Sequence, residues 1–172
     1  SNLISIDNHD SKIEDLDLMP KHDWYNKMTF LWSPGEEGAL SKIEEFISNG
    51  LNNYKEGRNF PSNQNVSQLS PHLHFGEVSP NQVWYRAKTK EGKLGIKKDL
   101  DHFLSELGWR EFSFNLLYHF PFLPKENLQK KFDNFPWDNE KDKLKKWQKG
   151  LTGYPIVDAG MQELWQTGYM HN

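Results

Sequence analysis

The 172-residue chain has no cysteine. That excludes a disulfide frame, a zinc–thiolate site and a catalytic thiol, and it fits a reducing compartment. No apolar run approaches the ~20 residues that a membrane-crossing helix needs, so no membrane partner is expected. The opening "SNLISIDNHD" lacks the basic start and apolar stretch of a signal peptide. A cytoplasmic protein is expected. No segment alternates with period two, and there is neither an internal repeat nor a low-complexity tract, so nothing predicts a sheet. The glycine-rich phosphate loops G-x-G-x-x-G and G-x-x-x-x-G-K-[ST] are both missing, as is the G-x-S-x-G turn that would make Asp158 a triad member.

What is present is aromatic. Phe, Trp and Tyr make up 14% of the chain, with seven Trp, and the length suffices for one compact core. The net charge of −3 conceals an asymmetry. Residues 1–50 carry ten acids and four lysines, while 51–172 carry 17 basic and 14 acidic residues. A modest positive excess permits a polyanion on one face without requiring one. The chain stops at "TGYMHN", without a polar tail, and its first thirty residues read as a linker joined midway. A segment of a longer protein is expected.

Every periodic stretch is helical, which predicts an all-α fold. Residues 1–31 read as extended or loop, with a short turn at Ile13–Leu18. In "SPGEEGALSKIEEFISNGLNNY", Ser33, Pro34 and Glu36 read as a capping box, and Leu40, Ile43, Phe46, Ile47, Leu51 and Tyr54 as one stripe. Ser70–Pro71 reads as cap and first residue of a short helix ending at Gly76. Ser79, Pro80 and Gln82 repeat the box and start a helix to about Lys88. From Lys97 to Phe120, Leu100, Phe103, Leu104, Leu107, Phe112, Leu116, Leu117 and Phe120 recur at helical spacing, and Pro121 ends the run. A charged helix follows at Lys141–Lys149. "TGYPIVDAGMQELWQTG" reads as a proline-initiated helix closed by Gly168.

Four groups of residues invite a chemical reading. In "VSQLSPHLHFGEVSP" the hydroxyls of Ser67 and Ser70 converge with unpaired backbone N–H groups at a helix start, which suits a diphosphate; plain helix capping explains the same spacing. On "FLSELGWREFSFN", Glu106, Trp109, Arg110 and Ser113 share a face. An acid, an indole and a guanidinium there make a floor for a planar, hydrogen-bonding ligand, and a surface Glu–Arg pair beside a half-buried Trp is the plainer account. His72 and His74 have no third ligand at matching spacing, so no metal site is expected. Trp137, in the polar loop "NFPWDNEKD", either pins that loop or is a redox group near the surface.

In order along the chain, "WSPGEEGAL", "YKEGRNFP", "VSQLSPHLHFGEVSP", "FLSELGWREF" and "KWQKGLTGYPIVDAGMQELWQTGYMHN" resemble the flavin-binding helical domain of the DNA photolyase/cryptochrome family. The resemblance covers Trp32 to Asn172, with residues 1–31 as the linker from an N-terminal α/β antenna domain. "MHN" is similar to the class I cyclobutane-dimer photolyases of microbes and to plant-type cryptochromes. The resemblance implies that flavin adenine dinucleotide (FAD) is held by Tyr54, Val66, Ser67, Gln68, Leu69, Ser70, Phe103, Arg110 and Asn172. Val66 stands where the family has Thr, which removes one hydroxyl. Phe103 stands where many relatives have Trp, and Tyr169 replaces the Trp of "TGWMHN". Glu106, Trp109, Arg110 and Tyr169 would meet UV-damaged DNA carrying a pyrimidine dimer, with Glu106, Trp109 and Asn172 in the catalytic roles. Trp137 matches the outermost Trp of the chain that photoreduces the flavin. An antenna chromophore, folate or deazaflavin, would sit in the preceding domain. The implied parent is a monomeric, light-driven deoxyribodipyrimidine photo-lyase; a cryptochrome-type photosensor is the alternative, and a helical scaffold without cofactor a third. About half of the flavin pocket would lie in this chain, so the segment alone is expected to bind flavin weakly and to repair nothing.

Overall fold

The computed structural model describes residues 12–172; the part of the linker before Lys12 lies outside the described residues. Among the described residues there is no strand. Seven α-helices follow one another: α1 (Glu36–Glu45), α2 (Tyr54–Gly57), α3 (Ser70–His74), α4 (Pro80–Lys88), α5 (Lys97–His119), α6 (Lys141–Gln148) and α7 (Pro155–Thr167). Short 3₁₀ turns lie at Ile13–Leu16, Asp23–Tyr25 and Lys130–Phe132. No helix among them is long and apolar enough to cross a membrane.

The second capping box forms as its residues dictate. The Gln82 N–H donates to Ser79 Oγ at 3.1 Å, and the Ser79 N–H donates to Gln82 Oε1 at 2.8 Å. The first does not. Helix α1 starts at Glu36 behind Gly35, whose φ of 97° only glycine adopts readily. The Ser33 carbonyl folds over the first turn instead, so close that a Cβ on Gly38 would lie 1.7 Å from it. The Gly35 N–H faces the Glu77 carboxylate and helps to hold that carboxyl below its usual range. Ser70 likewise is not a cap; it is the first residue of α3, behind Leu69, with no side-chain cap bond.

The long stripe predicted from Leu40 to Tyr54 is broken in the middle. After Glu45 the backbone widens into a π turn over Phe46–Gly50, with the Leu51 N–H reaching the Phe46 carbonyl at 2.8 Å. Asn53 then turns left-handed at φ 62° and α2 begins afresh. Asp99, in the first turn of α5, accepts the backbone N–H groups of Asn53 and Lys55, each at 2.9 Å. The re-aimed chain still buries Leu51 completely and Tyr54 almost so.

One core joins α1, the π turn, α2, α3, α4 and the first half of α5. Helices α2 and α4 both pack on α5, and α6 packs on α7. Leu100, Phe103, Leu104 and Leu107 are buried as the periodicity required. Phe112, Leu117 and Phe120 of the same stripe are 54%, 40% and 37% exposed, so the second half of α5 carries an apolar face that the described residues cover only in part. Helices α5, α6 and α7 otherwise match the predicted spans, and Gly168 closes α7 at φ 73°.

Candidate functional site: a hollow between two loops and helix α5

The loop before α3 supplies the first wall. Gln68 is held left-handed at φ 53°, which turns successive backbone groups toward one side, and Leu69 anchors the loop by burying its side chain in the core at 2% exposure. A ligand therefore meets Leu69 through its main chain. The loop is tied down behind by Asn65, whose amide donates to the carbonyls of Gly50 and Asn52, each at 2.9 Å. It is tied ahead by buried His72, whose Nδ1 lies 2.5 Å from Glu77 Oε2. His72 is thus a satisfied core histidine, and no cluster of three or more metal-ligating side chains exists among the described residues.

Helix α5 supplies the second wall. Phe103 stands at its base in an aromatic trio, its ring 4.7 Å from Phe46 and 5.4 Å from Tyr54. One and two turns on, Glu106 and Arg110 face the same hollow. The surface Glu106–Arg110 pair that their spacing allows does not form. Glu106 Oε1 is 2.5 Å from Arg58 Nη1 and 3.7 Å from His102 Nε2. Arg110 bonds to Glu111 at 2.6 Å, donates to the Leu73 carbonyl at 3.4 Å and stacks 4.5 Å from the Phe114 ring centroid. Burial pushes the Tyr54 phenol up, with the Arg58 charge opposing and the Glu106 charge adding to it.

The chain leaving α7 supplies the third wall. Tyr169, Met170, His171 and Asn172 cross the mouth. The Tyr169 N–H is held by Thr167 Oγ1 at 3.0 Å, and burial, then Glu163, raises its phenol. His171 Nδ1 lies 3.0 Å from the Asn172 carbonyl, and its Nε2 is buried without a partner. The hollow, open on one side, measures about 290 Å³. It adjoins a polar hollow of about 350 Å³, through Val66, Ser67, Gln68, Tyr169 and His171, and a more apolar one of about 810 Å³, through Arg58, Met170, His171 and Asn172. These are sizes in which organic cofactors bind.

Tyr54, Val66, Ser67, Gln68, Leu69, Ser70, Phe103, Glu106, Arg110, Tyr169 and Asn172 all line the 290 Å³ space. Trp109 does not. It is 60% exposed on the neighbouring face of α5, edge-on to Phe112 at 5.6 Å. Trp137 is also apart, 66% exposed and stacked 4.6 Å from Phe135 in the loop before α6. Asp158 is occupied structurally, accepting from the Thr152 N–H and hydroxyl and the Gly153 N–H, bonds that hold its carboxyl below the usual range. Sequence reasoning missed Arg58. It lies four residues after Tyr54, which was a usable signal, but "GRNFP" read as plain loop.

The chain matches the sequence profile of the FAD binding domain of DNA photolyase over residues 103–172. It is 46% identical to a deoxyribodipyrimidine photo-lyase of Agrobacterium fabrum over 162 residues, 94% of this chain. Its fold superimposes on the crystal structure of a bacterial class III photolyase from Agrobacterium tumefaciens with a TM-score of 0.87 at 45% identity, over 94% of this chain and 34% of that one. The chain is similar to the FAD-binding domain of the DNA photolyase/cryptochrome family. Cryptochrome-2 of Arabidopsis thaliana is 41% identical over 155 residues, 84% of this chain and 25% of that relative. This family segment spans about a third of the length of its photo-lyase relative, 34% for the Agrobacterium fabrum protein. The solved photolyase is described as class III, whereas "MHN" pointed to class I.

Proposed function

We propose that the 290 Å³ space and its two neighbours form one side of a flavin adenine dinucleotide pocket, in the parent of this segment a light-driven deoxyribodipyrimidine photo-lyase. The single observation behind this reading is the convergence of the Ser67–Ser70 loop, Phe103–Arg110 and Asn172 on one hollow. The donor set suits the cofactor. Serine hydroxyls, loop amides and the guanidinium groups of Arg58 and Arg110 match a diphosphate, and Phe103, Leu73 and Leu107 give an apolar floor for rings. Val66 contributes its main chain where the family's Thr would add a hydroxyl.

Bound in its reduced form, the flavin supplies a photoexcited electron that opens a cyclobutane dimer and is then returned. The protein's own groups do the rest. Glu106 presents a fixed acceptor and a compensated charge to the lesion, because Arg58 already orients it. Trp109 and Tyr169 offer rings for bases that leave the duplex. Arg110 and the lysines between Lys125 and Lys149 favour the phosphate backbone, with affinity falling as salt rises. Asn172 offers its amide to the flavin, and Trp137, exposed on its loop, passes electrons inward. We assign residues 1–31 to the linker and 32–172 to the first part of the helical domain. The antenna, folate or deazaflavin, belongs to the preceding domain of a monomeric cytoplasmic parent, and the class III relative favours that branch.

A photosensor is the second reading, favoured by the 41% identity to a plant cryptochrome. Illuminating the full-length parent with an oligonucleotide carrying a pyrimidine dimer separates them. Restored monomers support the lyase; a flavin that photoreduces while dimers persist supports the sensor. Colourless full-length protein would sink both.

A further inference from the structure

The segment before α1 meets the exit of α7 through Met28 and the Trp32 indole, and the indole supplies a hydrogen bond. The Trp32 Nε1–H donates to the Thr167 carbonyl at 2.6 Å, across 135 residues of sequence. That carbonyl belongs to the last residue of α7, where orphan acceptors need partners. The next residue, Gly168, has φ 73°, and a Cβ there would lie 3.0 Å from Met28 Sδ and 3.5 Å from Trp32 Nε1. The strap therefore packs against the point where the chain turns out of α7. Backbone bonds coil the strap on itself: the N–H groups of Leu31 and Trp32 both reach the Met28 carbonyl, at 3.0 and 3.2 Å. Trp32 also borders a small hollow with Gln68, Glu163 and Tyr169, so it stands behind both the α3 loop and the α7 exit.

We propose that Trp32 is a positioning residue for the site: by clamping the Thr167 carbonyl it sets where Tyr169, Met170, His171 and Asn172 cross the hollow. Without the clamp, the Thr167 side chain keeps only local bonds, from its hydroxyl to the Glu163 and Tyr169 carbonyls and from the Tyr169 N–H to its hydroxyl. Those fix the turn to α7 but not to the rest of the domain. The linker is then a mechanical neighbour of the site, and a displacement of the segment preceding α1 reaches Asn172 through that hydrogen bond. What the wall faces rests on the flavin reading; the clamp itself does not.

The test uses the full-length parent and Trp32→Phe, which keeps a ring and removes the donor. Amide hydrogen exchange at residues 168–172 should rise about five- to tenfold, the factor expected from one lost hydrogen bond, while amides of α1 and the first half of α5 hold their rates. Flavin content should persist with altered absorbance fine structure. Unchanged exchange at 168–172, or a rise shared equally by α1 and α5, overturns the proposal. A second measurement needs no variant: in the wild-type parent the Trp32 indole proton should resonate downfield and exchange slowly, and a freely exchanging indole proton overturns the clamp even where the variant fails to fold. Colourless wild-type protein with a protected indole would sink the flavin reading and leave the clamp standing.

Discussion

Arg58 Nη1 lies 2.5 Å from Glu106 Oε1 and 3.2 Å from the Tyr54 hydroxyl, so one guanidinium joins the end of α2 to the middle of α5. Its side chain is only 19% exposed. The acid expected to meet a lesion is therefore oriented and charge-compensated beforehand, and α2 is tied to the α5 wall of the hollow.

Replacing Glu106 by Gln in the full-length parent should lower affinity for dimer-containing DNA about tenfold, the scale of a lost hydrogen bond to a charged group. Repair yield should fall with it while flavin absorbance stays. Loss of flavin instead would mean that Glu106 serves chiefly to hold Arg58.

Trp109 separates recognition from stability. It is 60% exposed and lies outside the hollow, so Trp109→Ala should change folding stability by less than about 0.5 kcal/mol. If its ring stacks on bases, binding of damaged DNA should weaken by roughly 1–3 kcal/mol. Titration of labelled oligonucleotide beside a urea melt checks both numbers.

The Glu77 carboxyl is held below its ordinary range, first by the Gly35 N–H and then by His72. A lowered folded pKa means that the unfolded chain binds more protons near pH 4. The stabilisation is present in full above the ordinary glutamate value of about 4.3 and is lost as pH falls through the lowered one. Glu77→Gln should therefore lower the denaturation midpoint at pH 7, and the gap to wild type should close on acidification. A gap independent of pH down to 3 would show that charge is not the cause.

Asp99 bonds the two backbone N–H groups that start α2. Asp99→Ala should cost about 1–3 kcal/mol, as for hydrogen bonds to a charged acceptor. It should also loosen Tyr54 and Arg58, so flavin retention by the parent should fall alongside stability. Unaltered flavin retention would show that α2 is held by packing alone.

Helices α4, α5, α6 and α7 were legible because their signals are local: a capping box, an apolar period, a proline start, a glycine stop. The Ser67–Ser70 loop was legible as a cluster of donors for the same reason. Arg58 was not, because its partner Glu106 lies 48 positions further along. The π turn at Phe46–Gly50 was not either. The apolar stripe runs straight through it, and Gly50 leaves no room for a Cβ beside the Phe46 ring and the Gln64 carbonyl.

By itself the sequence determined most of the helical segments and which face of each is apolar, since propensity, capping and periodicity act over a few neighbouring residues. Tertiary structure alone decided which signals were used. Ser79 caps its helix, but Ser33 does not, because α1 starts behind Gly35 at φ 97° and not behind Ser33. The second half of α5 stays only partly covered because periodicity marks a face as apolar without saying what packs on it. The hollow itself forms where segments remote in sequence are drawn together, Arg58 bonding to Glu106 and Trp32 to the Thr167 carbonyl, bonds that exist only once the core has closed.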